Sequence, residues 1–284
     1  MFGEEVVFKL KDVGFSYPSG EKALEGINLS VRRGEKVALL GANGSGKSTL
    51  LKLLNGLLFT REGTIEALGQ VLSEKIMANE EFSFAFRRRV GFVFQKADAQ
   101  LFNSNVREEI AFGPVQLGWP AAEVNRVVDD VISMLNLDRL RDRPPFRLSG
   151  GEKRLVALAS VLSLNPDVLL LDEPTSGLDP RTQRRLIRLI QQLNEAGKTI
   201  IVATHNLEIL QEIADRAIVF SENHHLVAEG TCEQVLSNID LLVQVNLVDE
   251  EFHLHHPHPH GGHAPRPVTV PPFNGKKAGF FTKP

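Results

Sequence analysis

The sequence predicts an α/β fold, with a mostly parallel sheet covered by helices on both faces. Three observations predict it. Short continuous apolar runs recur along the chain, as strands buried on both faces require. Stretches with helical spacing separate them. Strand and helix alternate, which calls for crossover connections and so for a parallel sheet.

The elements follow in order. Val6–Leu10 and Ile27–Val31 carry β-branched residues, and the second alternates apolar with polar positions. Val37–Leu40 is a short apolar run that reads as a buried parallel strand, and a helix pattern follows from Ser48 to Leu58. Val90–Phe94 reads as a further buried strand. From Val106 to Leu164 the pattern turns helical, with amphipathic spacing in Ala121–Leu137 and Gly150–Leu164. This insertion between Phe94 and Asp167 reads as a helical subdomain. Asp167–Asp172, Thr199–Thr204 and Ala217–Phe220 return to buried strands, and Pro180–Ala196 is the helix among them.

The 284 residues allow one large or two ordinary domains at roughly 150 residues each. Hydrophobic residues make up 42% and charged residues 24%, which is ordinary globular usage with material for a large core. The net charge of -3 provides no global basic field for nucleic acid. Cys232 is the sole cysteine, so no internal disulfide forms, as fits a reducing cytoplasm. The start MFGEEVVFKL lacks the basic and apolar regions of a signal peptide. Apolar runs such as Val168–Leu171 fall far short of the ~18 residues a membrane helix needs, so membrane association is expected through a partner.

The C-terminal stretch differs from the rest. Six of the nine histidines lie in His253–His263, and seven of the fifteen prolines lie in Pro257–Pro284. Proline lacks the backbone donor of regular structure, so a mostly unfolded tail is expected. The chain is therefore divided into 1–240, a single domain, and 241–284, an extension ending in this tail.

Three motifs carry the chemistry that names that domain. Gly41-Ala-Asn-Gly-Ser-Gly-Lys-Ser48 follows a buried strand and opens a helix, the context of a phosphate-binding loop. Gly41, Gly44 and Gly46 let backbone N–H groups, with those of Asn43 and Ser45, wrap around phosphates. Lys47 reaches the outer phosphates, the Ser48 hydroxyl ligates magnesium, and Thr49 continues the site into the helix. The helix dipole adds to the attraction. The run Val168–Leu171 then delivers Asp172 to a strand end, where it holds magnesium through water, and Glu173 to a position that polarises an attacking water. In Leu148-Ser-Gly-Gly-Glu152, Ser149 and the glycines Gly150 and Gly151 offer a hydroxyl and open N–H groups at a helix start, a second anion cradle. Read alone, this last motif is an ordinary helix cap; its place upstream of Asp172 sets it apart.

With these motifs in this order, the chain resembles the ABC ATPase family over about residues 5–240. The resemblance implies a phosphate-loop, RecA-like parallel-sheet core, an antiparallel β element near the N-terminus and a helical subdomain at about residues 97–165. It also implies roles. Tyr17 stacks on adenine, and Gln95 touches magnesium and the attacking water and senses the membrane partner. Ser149–Glu152 contacts the ATP of the opposite subunit, Asp179 in Ser176-Gly-Leu-Asp179 crosses the dimer interface, and His205 contacts the terminal phosphate. ATP and magnesium are the implied cofactors. The commonest family signature ends in glutamine and has an arginine three residues on, whereas this chain has Glu152 and then Leu155. Arg154 comes one position early, and its use is left open.

The segment Gln95–Pro114 contains Gln-Leu-Phe and then Ala-Phe-Gly-Pro and resembles the energy-coupling-factor importers. There this region receives coupling helices of a transmembrane partner. Phe102, Val106, Ile110 and Phe112 are expected to serve that groove, the core, or both. The same branch contains cobalt and nickel importers. His253, His255, His256, His258, His260 and His263 suit such ions, since neutral imidazole is a good ligand for them. A solvated tail that binds metal only incidentally is the alternative, and a vitamin importer is the competing cargo. The resemblance further implies a homodimer or a heterodimer with a related ATPase. It places the chain peripherally on the cytoplasmic face of the membrane, with a transmembrane coupling subunit and a substrate-binding membrane subunit. A soluble ABC ATPase acting on DNA or ribosomes is the rival class, but it usually carries a long coiled coil or tandem units, which this sequence lacks.

Overall fold

The computed structural model describes residues 6–249. Two sheets form. The first is antiparallel, in the order β2-β1-β4-β5, from β1 (Val6–Ser16), β2 (Lys22–Arg32), β4 (Glu62–Ala67) and β5 (Gln70–Val71). The second has six strands in the order β10-β9-β3-β8-β7-β6. These are β3 (Lys36–Leu40), β6 (Val90–Val93), β7 (Val168–Asp172), β8 (Thr199–Thr204), β9 (Arg216–Phe220) and β10 (Leu226–Thr231). All neighbours in it run parallel except β10, which pairs antiparallel with β9. The expected mixed fold, with an antiparallel element at the N-terminus, is what forms.

The helices are α1 (Lys47–Leu54), α2 (Glu74–Met77), α3 (Glu80–Arg89), α4 (Val106–Gln116), α5 (Ala121–Met134), α6 (Gly150–Leu162), α7 (Pro180–Glu195), α8 (Leu210–Ile213), α9 (Cys232–Ser237) and α10 (Ile239–Gln244). The alternation of side chains along the central strands separates two cores. Ala38, Leu40, Leu169, Leu171, Ile200 and Val202 face α4 to α9. Val37, Leu39, Val168, Leu170, Ile201 and Ala203 face α1 and the antiparallel sheet. That is why the central strands read as unbroken apolar runs. Leu242 and Val245, in the segment assigned to the extension, are buried in the first of these cores.

The helix after the phosphate loop ends at Leu54, four residues before the pattern suggests. Gly56 takes φ +68, and the N–H groups of Gly56 and Leu57 donate to Leu53 O (3.1 Å) and Lys52 O (2.9 Å). This left-handed cap satisfies the last carbonyls and turns the apolar Leu57 and Leu58 out of the helix.

Candidate functional site

Parallel pairing gathers the chemistry at one edge. Leu40 pairs with Thr204, Asp172 with Ala203, and Val93 with Leu171. Gly41, His205 and Glu173, each the next residue of its strand, and Gln95, two residues beyond β6, therefore emerge together at the carboxyl ends of four adjacent strands. Ligands of open α/β sheets bind outside this edge.

The loop Gly41–Ser48 joins β3 to α1. Gly46 has φ +105, and a Cβ there would lie 2.2 Å from Ala23 O, so glycine is demanded by both torsion and space. Gly46 is also the N-cap of α1 and supplies no side-chain acceptor. The first N–H groups of the helix are thus left for a bound anion. Ser45 Oγ is buried in the same loop with no hydrogen-bond partner. Lys47 is 6% exposed and donates to Gly41 O (2.7 Å) and Ala42 O (2.8 Å). Burial pulls its pKa down, while Glu173 and Asp172 hold the charge in place. An orphaned hydroxyl, a free helix start and a buried ammonium together make a phosphate cradle.

Ser48 Oγ donates to Asp172 Oδ1 at 3.0 Å. Burial raises the Asp172 pKa; the Ser48 bond opposes this and the Glu173 charge reinforces it. Hard oxygen donors on two facing elements suit a hard divalent cation. Glu173 follows with φ +46, in the left-handed region that a non-glycine residue enters at a cost of about 1–3 kcal/mol. Its N–H donates to Ala203 O at 2.9 Å, and its carboxylate meets His205 Nδ1 at 2.7 Å and Thr204 Oγ1 at 3.4 Å. Nδ1 must carry the proton to donate to a carboxylate. The strained turn thus aims a buried carboxylate whose orientation is fixed by neighbours.

Arg154 is the residue that sequence reasoning left without a role. Its guanidinium donates to Glu173 O (2.7 Å), Ser176 O (2.5 Å) and Gln95 O (2.6 Å). It thereby ties α6 to the turn at Glu173, to the Ser176–Asp179 loop and to the segment after β6. Ser149 caps α6: its hydroxyl accepts from Glu152 N (3.3 Å), and Glu152 Oε2 accepts from Ser149 N (2.8 Å). The glutamate that departs from the commonest signature thus closes a reciprocal cap. Asp179 caps α7 by accepting from Arg181 N (3.0 Å) and Thr182 N (3.1 Å). Ser149, Gly150 and Asp179 are exposed, on the surface that a second subunit would have to cover. Gln95 is exposed at its strand end. The Tyr17 hydroxyl lies 2.8 Å from Thr49 Oγ1, and its ring meets Phe15 edge-on with 5.1 Å between centroids. This fixes an aromatic face beside the start of α1.

The presumed groove residues separate cleanly. Val106 and Ile110 are core. Phe102 is 65% exposed and makes an edge contact with Phe112, itself 38% exposed. Buried Glu109 holds the loop under Phe102 by accepting from Phe102 N (2.9 Å) and Asn103 N (2.8 Å). The histidines His253, His255, His256, His258, His260 and His263 lie outside the described residues. Among the described residues, no cluster of three or more His, Cys, Asp or Glu is placed to hold a metal ion, and no helix is long and apolar enough to cross a membrane.

Comparison with known proteins agrees with this geometry. The family described as ABC transporter matches residues 24–176. The nickel import ATP-binding protein NikO of Rhodobacter capsulatus is 46% identical over 85% of this chain and 95% of its own length. The energy-coupling factor transporter ATP-binding protein EcfA of Methanothermobacter thermautotrophicus is 40% identical over 85% of this chain and 76% of its own. Among solved structures, cbiO1 of Clostridium perfringens, part of the transporter complex cbiONQ, superposes with a TM-score of 0.72 at 35% identity, covering 88% of this chain and 99% of that one. The dimeric ATP-binding cassette MJ0796 bound to ADP and Pi superposes with a TM-score of 0.72 at 29% identity, covering 79% and 98%. The chain belongs to the ABC transporter family as an ATP-binding, ATP-hydrolysing subunit.

Proposed function

We propose that this chain hydrolyses ATP to energise an energy-coupling-factor importer of nickel or cobalt ions. The convergence of Lys47, Ser48, Asp172, Glu173 and His205 on one sheet edge carries the hydrolytic reading. In this reading Lys47 leaves the loop carbonyls Gly41 O and Ala42 O to meet the outer phosphates. Glu173 accepts a proton from the attacking water, and His205, hydrogen-bonded to it, faces the terminal phosphate. The water oxygen bonds to the terminal phosphorus, and the bond to the bridging oxygen breaks to release ADP and phosphate. Ser48 and Asp172, with Gln95 at the adjoining strand end, would hold magnesium. When bound, that ion offsets charge on the phosphate oxygens.

Two subunits close on two ATP molecules, each between the Lys47 loop of one and the exposed Ser149 cap of the other. The exposure of Ser149, Gly150 and Asp179 supports this reading, as does the dimeric form of MJ0796. Exposed Phe102 and Phe112 then face a membrane subunit, which supplies the peripheral attachment. The cargo rests on the likeness to the nickel import protein NikO. Uptake of radiolabelled nickel and cobalt by cells making this chain with copurifying membrane proteins tests it. ATP-driven uptake that is lost in Glu173→Gln supports the reading. ATP-driven uptake of a vitamin with no metal accumulation replaces it with the vitamin cargo.

A further inference from the structure

A cavity of about 550 Å³ opens between the C-terminal end of α5, the second turn of α6 and one side of α7. No residue placed in the nucleotide site lines it. Met134, Leu155 and Leu189 give it an apolar floor. Positions 181, 184, 185 and 188 recur on one side of α7 at helical spacing, and all four are arginines that line the opening. The described residues lining the cavity include no acid. Glu212 lies 3.4 Å from Arg184 Nη1, where the arginine side chain is 69% exposed.

Arg185 sets this surface apart from a solvated basic stripe. Its Nη2 is buried and has no hydrogen-bond partner. A buried guanidinium nitrogen without an acceptor is costly, because water no longer satisfies it. Burial and the neighbouring charge of Arg181 both depress the Arg185 pKa. An incoming anion would offset the mutual repulsion of Arg181 and Arg185. A guanidinium fork fits a carboxylate or phosphate with two parallel hydrogen bonds. The volume is that of a small-ligand site, and the floor asks for hydrocarbon.

We propose that this cavity binds a free amphiphilic organic anion, with its carboxylate or phosphate head on Arg185 and Arg188 and its apolar body against Met134, Leu155 and Leu189. The test uses the full chain and the fluorescence of anilinonaphthalene sulfonate as reporter. Octanoate and octyl phosphate should displace the probe from one saturable site, and neutral octanol should do so at least about tenfold less well, since the head carries a charge-assisted interaction. Arg185→Gln should weaken octanoate about ten- to hundredfold. Leu155→Arg, which fills the floor with a cation, should abolish displaceable binding. Melting curves check that each variant folds, and Arg188→Gln stands in for Arg185→Gln if that variant does not. Equal displacement by octanol and octanoate overturns the proposal, as does wild-type octanoate affinity in folded Arg185→Gln or its stand-in. Displacement of the probe by ATP would place it in the nucleotide site and also overturn the proposal, without touching the hydrolytic reading. Capture only by phosphatidylglycerol vesicles, with no binding of octyl phosphate from solution, overturns the free-ligand assignment.

Discussion

Arg154→Ala tests how the turn at Glu173 is held. The guanidinium bonds to three carbonyls on three segments, those of Glu173, Ser176 and Gln95. Hydrogen bonds from a charged donor are worth about 1.5–3 kcal/mol each, so three sum to about 4.5–9 kcal/mol. Two of these bonds lie at the surface, where water replaces the lost donor. The third, to Glu173 O, is part-buried, and that carbonyl keeps only the Ser176 N–H at 3.2 Å. The expected loss is therefore about 2–4 kcal/mol, since bonds sharing one side chain do not add. Glu173 stands at φ +46, and with one anchor gone its backbone has less to oppose relaxation out of that region. The rate should fall about tenfold or more, while ATP affinity stays within about threefold because the Lys47 loop is untouched. Urea unfolding gives the stability, steady-state turnover gives kcat, and a fluorescent ATP analogue gives the affinity. Arg154→Lys should recover little, because an ammonium lacks the planar fork that spans three acceptors. An Arg154→Ala chain with wild-type kcat and a stability change under about 0.5 kcal/mol would show that Arg154 does not hold the turn.

Other positions give sharper local tests. Tyr17→Ala should weaken nucleotide binding by about 1–3 kcal/mol if its ring is the adenine platform, and Tyr17→Phe should change it little. An unchanged dissociation constant in Tyr17→Ala removes Tyr17 from the site. Gly46→Ala should lose saturable ATP binding, because the added methyl would sit 2.2 Å from Ala23 O at a torsion of +105°; wild-type affinity would show that the loop does not need this close approach. Deleting residues 250–284 should abolish calorimetric nickel or cobalt binding and leave ATPase nearly unchanged, and metal binding by the intact chain should fade as pH drops through about 6.5. Equal metal binding by the truncated chain would exclude the histidine tail.

The sequence made some of this legible because local rules and tertiary demands agree there. β3, β7 and β8 are buried on both faces, so their apolar runs leave little ambiguity. The phosphate loop was readable because its glycines answer to local torsions and close contacts. Residues 62–89 were not assigned, for a physical reason. Strand β4 begins with three exposed residues and owes its existence to pairing with β1, with Ile65 opposite Leu10 and Ala67 opposite Phe8. Its own composition has little β preference. β10 alternates half-buried with exposed positions at a sheet edge and has the same weakness. Helix α3 is set by the Asn79 side chain accepting from Phe82 N and by three arginines in its last turn, a signal present in the sequence but short. The role of Arg154 was invisible because its acceptors are backbone carbonyls of distant segments, which no residue pattern encodes. The cavity beside α7 was hidden for a related reason: four arginines on an amphipathic helix read as a solvated face until the buried Nη2 of Arg185 is seen.

In the proposed mechanism Glu173 drives hydrolysis within an ATP-closed dimer, and its amide variant separates binding from chemistry. Glu173→Gln keeps the shape and removes the basicity, so ATP should still bind while turnover falls about 10²–10⁴-fold. On size-exclusion chromatography with ATP and magnesium, the variant should elute as a persistent dimer and the wild type should return to monomer as ATP is consumed. Undiminished turnover in Glu173→Gln, or a variant that stays monomeric with saturating ATP, would rule out this role for Glu173.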